Sequence, residues 1–263
     1  RLQQALTSDR FVLYFQPIMP LHGLDLATLP DEGDAFSPGS GRLLENGVSH
    51  CEALLRLDDD AGVIAPNAFL PTAERFGLMP QIDLWVIRHV IAQLAALQQR
   101  GTRACISVNL SGHTLADGRL VPEVMGLLAR HRVDPGSLIF EITETNAIAN
   151  IEAAQRLIGE LREHGCRFAL DDFGSGFSSF HHLKHLPVDF VKIDGQFVCG
   201  MAKNPADRAI VMSINDIAHS LGKRTVAEFV ENRAILELLV ECGVDYAQGN
   251  HISPPRANAA PAL

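Results

Sequence analysis

The chain has 263 residues, 47% of them hydrophobic and 20% charged, which suits a buried core in one large domain or two small ones. Its 31 acidic and 22 basic side chains give a formal charge of −9, which argues against long nucleic acid as a partner, while an anionic substrate stays open if metal cations screen an acidic pocket. No apolar run reaches the roughly 18 residues of a membrane span and no leader-like segment stands at the start, so a cytoplasmic location is expected.

The first residues, RLQQAL, read as helix, which suggests a piece of a longer polypeptide, and a strand over 11–17 follows. Residues 20–48 are rich in Gly, Pro and Asp and carry no period, as a loop insertion would. Beyond a strand over 50–56 and a helix over 81–99, a rhythm sets in: a helix closes on Gly and a short apolar strand follows. Gly101 leads to a strand over 104–110, Gly165 to 167–171, Gly222 to 224–229 and Gly243 to 244–248, with further strands over 137–143 and 188–193. Gly suits the position just past a helix because it accepts the left-handed conformation that satisfies the last carbonyls. The helices are amphipathic. Ile151, Ala154, Leu157, Ile158 and Leu161 mark one face of 151–164; Ile210, Ile214, Ile217, Ala218 and Leu221 mark 205–221, with Asn204 as cap and Pro205 at the first position. Strands that are continuous apolar runs are buried on both faces, and eight of them separated by helices favour a closed (β/α)8 barrel over an open doubly wound sheet. The tail from Pro254 should fray.

In such a barrel the chemistry gathers at the carboxyl ends of the strands. The polar residues there are Glu52, Asn109, Glu141, the adjacent pair Asp171 and Asp172, Lys192 with Asp194, Glu228 and Gln248. Any one of them could be a paired structural charge or a helix cap. As a set on seven strands they would need seven separate structural reasons. Five carboxylates and an amide oxygen around one mouth repel one another unless cations intervene, and all-oxygen donors select Mg²⁺ or Mn²⁺ over zinc. Six ligands exceed what one Mg²⁺ takes from protein, so two ions bridged by one Asp are expected, with Lys192 holding or deprotonating the nucleophilic water.

CEALLRL at 51–57, SVNLS at 107–111, EITET at 141–145, DDFGSGFSS at 171–179, VKIDGQFV at 191–198, VAEFVE at 226–231 and AQGN at 247–250 together resemble, in order, the motifs of the EAL-domain family. The resemblance covers essentially the whole chain, residues 1–255, and leaves 256–263 as a disordered tail. It implies a modified TIM barrel with an antiparallel first strand and a metal-dependent phosphodiesterase that opens cyclic di-GMP to linear pGpG. It implies that Glu52, Asn109, Glu141, Asp171, Asp172 and Glu228 hold two metals, that Glu52, Asp172, Lys192 and Gln248 are catalytic, and that Lys192 and Gln248 position the water. Gln16, Leu54, Arg56, Asn109, Asp194 and Glu231 would contact substrate, with Arg56 gripping a phosphate or guanine. Glu144 would anchor the loop after the double Asp, a loop that also shapes a homodimer contact. An upstream sensory or GGDEF-type domain, and a larger signalling protein attached to a membrane, fit the same family. The chain departs from the pattern at Phe229, where Gly is usual, at Asn250, at Leu57 and at HISPP over 251–255. These bear on base stacking and affinity more than on chemistry.

Other signals are weaker. His181 and His185 lie four apart, as a metal pair would, but a solvent-facing helix explains them. Asp58–Asp60 read as a solvated loop, GSG lacks the lysine of a phosphate loop, and Trp85 reads as core. Cys51, Cys105, Cys166, Cys199 and Cys242 are odd in number, without a CxxC pair, and read as small hydrophobes. Two rival functions remain: a catalytically silent receptor for the same nucleotide, and a lyase using Lys192 as a Schiff base.

Overall fold

Four glycines set the rhythm of the chain. Gly101, Gly165, Gly222 and Gly243 have φ of 77°, 97°, 70° and 70°. In each case the N–H of the following residue reaches back to a carbonyl of the last helical turn: Thr102 to Leu97 at 3.0 Å, Cys166 to Leu161 at 3.1 Å, Lys223 to Ala218 at 2.9 Å and Val244 to Leu239 at 3.1 Å. This bond closes the helix and turns the chain back toward the sheet.

The computed structural model describes residues 2–7, 10–26, 44–45, 47–59, 62–175 and 180–257. In chain order, α1 (Leu2–Thr7) precedes β1 (Phe11–Pro20), β2 (Leu44–Glu45), β3 (Val48–Asp59) and β4 (Gly62–Ile64). Next come α2 (Leu70–Arg75), α3 (Met79–Gln99), β5 (Arg103–Asn109), α4 (Leu120–His131), β6 (Leu138–Thr143), α5 (Glu144–Ala149), α6 (Ile151–Glu163) and β7 (Arg167–Phe173). The rest are α7 (Phe180–His185), β8 (Phe190–Ile193), α8 (Gly195–Val198), α9 (Pro205–Ser220), β9 (Arg224–Ala227), α10 (Arg233–Glu241), β10 (Tyr246–Ala247) and β11 (Arg256–Ala257).

The ladder runs β1-β10-β9-β8-β7-β6-β5-β3, and the pairing of β1 with β3 closes it into an eight-stranded barrel. β1 is antiparallel to both its barrel neighbours, and the remaining barrel pairs are parallel. β2 and β4 extend β3 as short hairpins. Residues 27–43 and 46 of the expected insertion lie outside the described residues. The expected frayed tail is corrected at its start. Arg256 and Ala257 form β11, pairing with Phe15 and Tyr14 at the free stretch of β1, and so satisfy backbone groups that fraying would leave open.

The helices coat the barrel with their apolar faces, and the sheet–helix core includes Ile87, Val90, Ile91, Leu157, Ile158 and Ile214. Inside the barrel, Ile18, Ile139, Ala169, Phe190, Val226 and Tyr246 form a separate apolar floor. Strand side chains alternate, so the next inward position along each parallel strand is two residues later, and along antiparallel β1 two residues earlier. Those positions are Glu141, Asp171, Lys192, Glu228, Gln248 and, on β1, Gln16. The polar layer therefore sits directly on the apolar floor. Asn204 caps α9 by accepting from Ala206 N at 3.0 Å, with Pro205 behind it, as the sequence predicts.

Candidate active site

Lys192 is the hub of the polar layer, with its side chain 1% exposed. Its Nζ lies 2.7 Å from Glu141 Oε2, 2.9 Å from Glu228 Oε1, 3.0 Å from Asp171 Oδ1 and 3.4 Å from Glu52 Oε2. Four strands thus bring a carboxylate to one ammonium. Glu52 is tied further: its Oε1 accepts from Asn109 Nδ2 at 2.6 Å, and its Oε2 accepts from Gln248 Nε2 at 2.7 Å. Gln248 Nε2 also donates to Gln16 Oε1 at 3.2 Å, and Gln16 Nε2 donates to the Ser253 carbonyl at 3.2 Å.

Electrostatics follow from this crowding. Burial opposes the charge on Lys192, but Asp171, Glu141, Glu228 and Glu52 outweigh it and hold the ammonium well above its usual range. Lys192 therefore keeps its proton. It can orient a water or an anion, and it is a poor base and a poor Schiff-base nucleophile. Burial pushes the Glu141 carboxyl up to about 8 against the pull of Lys192, and pushes Glu228 well above the usual carboxylate range. Burial, then the neighbouring Asp171, raises Asp172.

Asp171 and Asp172 are adjacent, and in a regular strand they would face opposite sides. The register of β7 against β8 shifts between Leu170 and Phe173, and Asp172 takes φ 53°. This bulge turns Asp172 so that Asp171, Asp172 and Glu228 can place one carboxylate oxygen each within 4.8 Å of one another. A cation fits there. The donors are hard oxygens, Glu228 Oε2 is buried without a hydrogen-bond partner, and Asp171 Oδ1 meets Lys192 without hydrogen-bond geometry. Glu52 and Glu141 stand next to this trio, each beside Lys192, and Asn109 is bonded to Glu52.

The remaining predicted residues divide. Leu54 and Glu231 line the same cavity of about 460 Å³ as Glu52, Asp171, Asp172 and Lys192. Asp194 caps α8 by accepting from Gln196 N at 2.7 Å. Arg56 donates to its own Leu55 carbonyl at 2.8 Å and lies 5.4 Å from the centroid of the Tyr14 ring. Glu144 accepts from Gly174 N at 3.1 Å, so it pins the start of the loop after the two aspartates. The rest of that motif, 176–179, lies outside the described residues. Asn67 and Pro255 also line the cavity. Pro255 ends the HISPP stretch singled out in the sequence, whereas Asn67 carries no sequence signal, because it reaches the cavity from a connection whose path only the folded barrel fixes. His181 and His185 have ring centroids 4.7 Å apart on α7. Among the described residues, no third metal-binding group joins them.

The EAL domain family matches residues 35–255 of this chain. The cyclic di-GMP phosphodiesterase PdeB of Shewanella oneidensis is 40% identical over 261 residues, which is 99% of this chain and 28% of PdeB. The cyclic di-GMP phosphodiesterase PdeF of Escherichia coli is 37% identical over 257 residues, 97% of this chain and 31% of PdeF. The chain thus spans about three tenths of the length of these curated relatives. A solved structure described as "PaMucR Phosphodiesterase, c-di-GMP complex" matches with a TM-score of 0.83 and 33% identity, over 98% of this chain and 96% of that one.

Proposed function

The chain belongs to the EAL domain family, and from that premise we propose that it hydrolyses cyclic di-GMP to linear pGpG with a pair of divalent cations, Mg²⁺ or Mn²⁺. The observation that carries this reading is the charge at the barrel mouth. Glu52, Glu141, Asp171 and Glu228 surround the single ammonium of Lys192, with Asp172 beside Asp171 and Glu228, and the raised carboxyls of Glu141 and Glu228 mark a crowding of negative charge that divalent cations would relieve.

In this reading Asp171, Asp172 and Glu228 hold cations, and Glu52, Asn109 and Glu141 complete the ligand set. When bound, such a pair acidifies a water and stabilises the departing oxygen of an in-line displacement. The chain's own part is orientation. Lys192, fixed as a cation, and Gln248, fixed by Glu52 and Gln16, aim the attacking water. The water oxygen bonds to phosphorus, the bond from phosphorus to the 3′ oxygen breaks, and a proton from the water ends on that oxygen. Arg56 would leave the Leu55 carbonyl to meet a phosphate or guanine, with Gln16, Leu54, Asp194 and Glu231 around it. A homodimer belongs to the same reading, as does an upstream sensory or cyclase-type domain, for which the length of the relatives beyond this match leaves room.

Hydrolysis of cyclic di-GMP by the purified chain, with Mg²⁺ or Mn²⁺ titrated from zero and products separated by chromatography, tests this directly. Linear pGpG that appears only with metal supports it. Tight binding without product would make the chain a receptor, and neither binding nor product would end the reading.

A further inference from the structure

The end of the barrel where the parallel strands begin lies opposite the carboxylate mouth and carries the reverse charge. Two residues before the apolar floor, the inward positions of β5, β7 and β9 are Arg103, Arg167 and Arg224, each the first residue of its strand. Two cavities open there. One, of about 510 Å³, is lined by Arg103, Arg167 and Asp134, with an apolar wall of Ile18, Leu94, Val133 and the underside of the floor at Phe190 and Tyr246. The other, of about 360 Å³, is lined by Arg162, Lys223, Arg224 and Asp189, and the two share Arg167 and Phe190. Five cations thus meet two carboxylates, in a chain whose formal charge is −9.

At this end of a (β/α)8 barrel, side chains ordinarily serve stability, and a buried charge that does so is paired. The two carboxylates are already engaged. Asp189 accepts from Arg162 Nη2 and from Phe168 N, both at 2.9 Å, and Asp134 accepts from Gly136 N at 3.1 Å. Lys223 Nζ donates to the Leu186 and Val188 carbonyls at 2.9 and 3.0 Å. Burial, then the Arg162 guanidinium, lowers this ammonium from its usual range, as expected where cations crowd without enough counter-charge. Arg167 is held by a carbonyl and a thiol: Nε and Nη2 donate to the Gly136 carbonyl at 3.0 and 2.7 Å, and Nη2 lies 2.7 Å from Cys105 Sγ. The Arg103 side chain has no hydrogen bond or ion pair among the described residues. A purely structural layer leaves these two guanidiniums without an anion. A cavity of this volume is of the size that holds small organic ligands.

We propose that the larger cavity is a second ligand site, which takes a small organic anion: its carboxylate or phosphate group is met by Arg103 and Arg167, and its apolar body lies along Leu94, Val133 and the underside of the barrel floor. Guanidinium groups suit either anion, because their planar donors match two oxygens at once. The floor separates this site from the mouth, so it stands whatever the chain hydrolyses.

The test is calorimetric titration of the full chain with 1-naphthoate and 1-naphthyl phosphate, and with 1-naphthalenemethanol as the uncharged counterpart. Each is run in Mn²⁺ and again in EDTA, where the bare carboxylates of the mouth repel anions. At least one of the two anions should bind in a single saturable step, equally in both buffers, and the uncharged probe should bind at least about tenfold more weakly. The tighter anion identifies the group that the site prefers. Arg103→Glu should weaken binding about 10- to 100-fold, and Arg103→Gln, which keeps bulk without charge, reads the same loss where the first variant folds poorly. Arg75→Glu makes the same charge change at an exposed position of α2 that lines neither cavity, and should alter affinity by less than about twofold. No binding of either anion, binding that needs Mn²⁺, equal affinity for the uncharged probe, or Arg103 variants that bind as wild type does would each overturn the proposal and leave the hydrolase reading untouched.

Discussion

Lys192→Met removes the one ammonium that faces Glu52, Glu141, Asp171 and Glu228, and leaves four buried carboxylates facing one another. Breaking a buried ion pair from one side costs about 3–5 kcal/mol, because the remaining charge is stranded in a poor solvent. For a domain of this size each kcal/mol moves Tm by about 2–4 °C, so the metal-free variant should melt about 6–20 °C below wild type. Protonation softens the effect. Glu141 is already pushed up to about 8 with the lysine present, so near pH 6 the cluster can shed charge, and the loss should be larger at pH 8. Thermal unfolding in EDTA at both pH values reads this, and MnCl₂ should raise the Tm of the variant more than that of wild type. Adding Glu141→Gln removes one of the stranded charges and should recover part of the loss, a coupling of about 0.5–3 kcal/mol in the double-mutant cycle. A Tm change below about 2 °C at pH 8 in EDTA, where the ion-pair loss alone demands more, would refute the placement of Lys192 as the counter-charge of the cluster.

Asp171→Asn and Asp172→Asn each remove one charge from the trio with Glu228, and each should cut Mn²⁺-dependent hydrolysis by at least about a hundredfold while weakening the calorimetric heat of Mn²⁺ binding. Glu144→Ala removes the acceptor of Gly174 N; turnover should fall about 10- to 100-fold and exchange at that amide should quicken, with Mn²⁺ affinity less affected. The Glu141 carboxyl, raised from 4.5 to about 8, keeps a proton in the folded state that the unfolded chain gives up at lower pH. Metal-free stability should therefore fall as pH rises from about 4.5 through about 8, the folded state binding more protons throughout that window. Urea unfolding in EDTA from pH 5 to 9 tests this, and a flat profile would count against the buried, uncompensated carboxylate.

The barrel was legible because its signals are local. The four glycines after α3, α6, α9 and α10 mark helix ends by backbone conformation alone, and the apolar runs between them become β5, β7, β9 and β10. The strand ends were less legible. The strand expected over 224–229 stops at Ala227, because Glu228 turns inward and Phe229 enters the left-handed region. The strand expected over 167–171 runs on to Phe173 through a bulge. The residues that gather at the barrel mouth could be picked out as charges in apolar runs, which is a statement about desolvation and needs no coordinates. Their partners could not. That Lys192 meets four carboxylates from β3, β6, β7 and the end of β9, and that Arg56 rests on its own backbone, depends on barrel stagger, which no single strand encodes.

The direction of β1 has a chemical consequence. In a barrel strand parallel to its neighbours, the residue that reaches the rim stands at the strand's end and is followed by a loop. β1 runs the other way, so Gln16 reaches the rim in mid-strand, with Phe15 and Pro17 both paired to β3 and Gln16 itself directly opposite Glu52. A mid-ladder position is held by backbone bonds on both sides and moves less than a loop residue. Gln16 in turn accepts from Gln248, and Gln248 donates to Glu52, so two side chains, one from β1 and one just past β10, brace the carboxylate on β3. With Asn109 on its other oxygen and Lys192 beside it, both oxygens of Glu52 are held. Inversion of one strand thereby braces the seam where the barrel closes with side-chain bonds from both neighbours, in contrast with Asp172, whose exposed carboxylate sits on a bulge beside the loop pinned by Glu144.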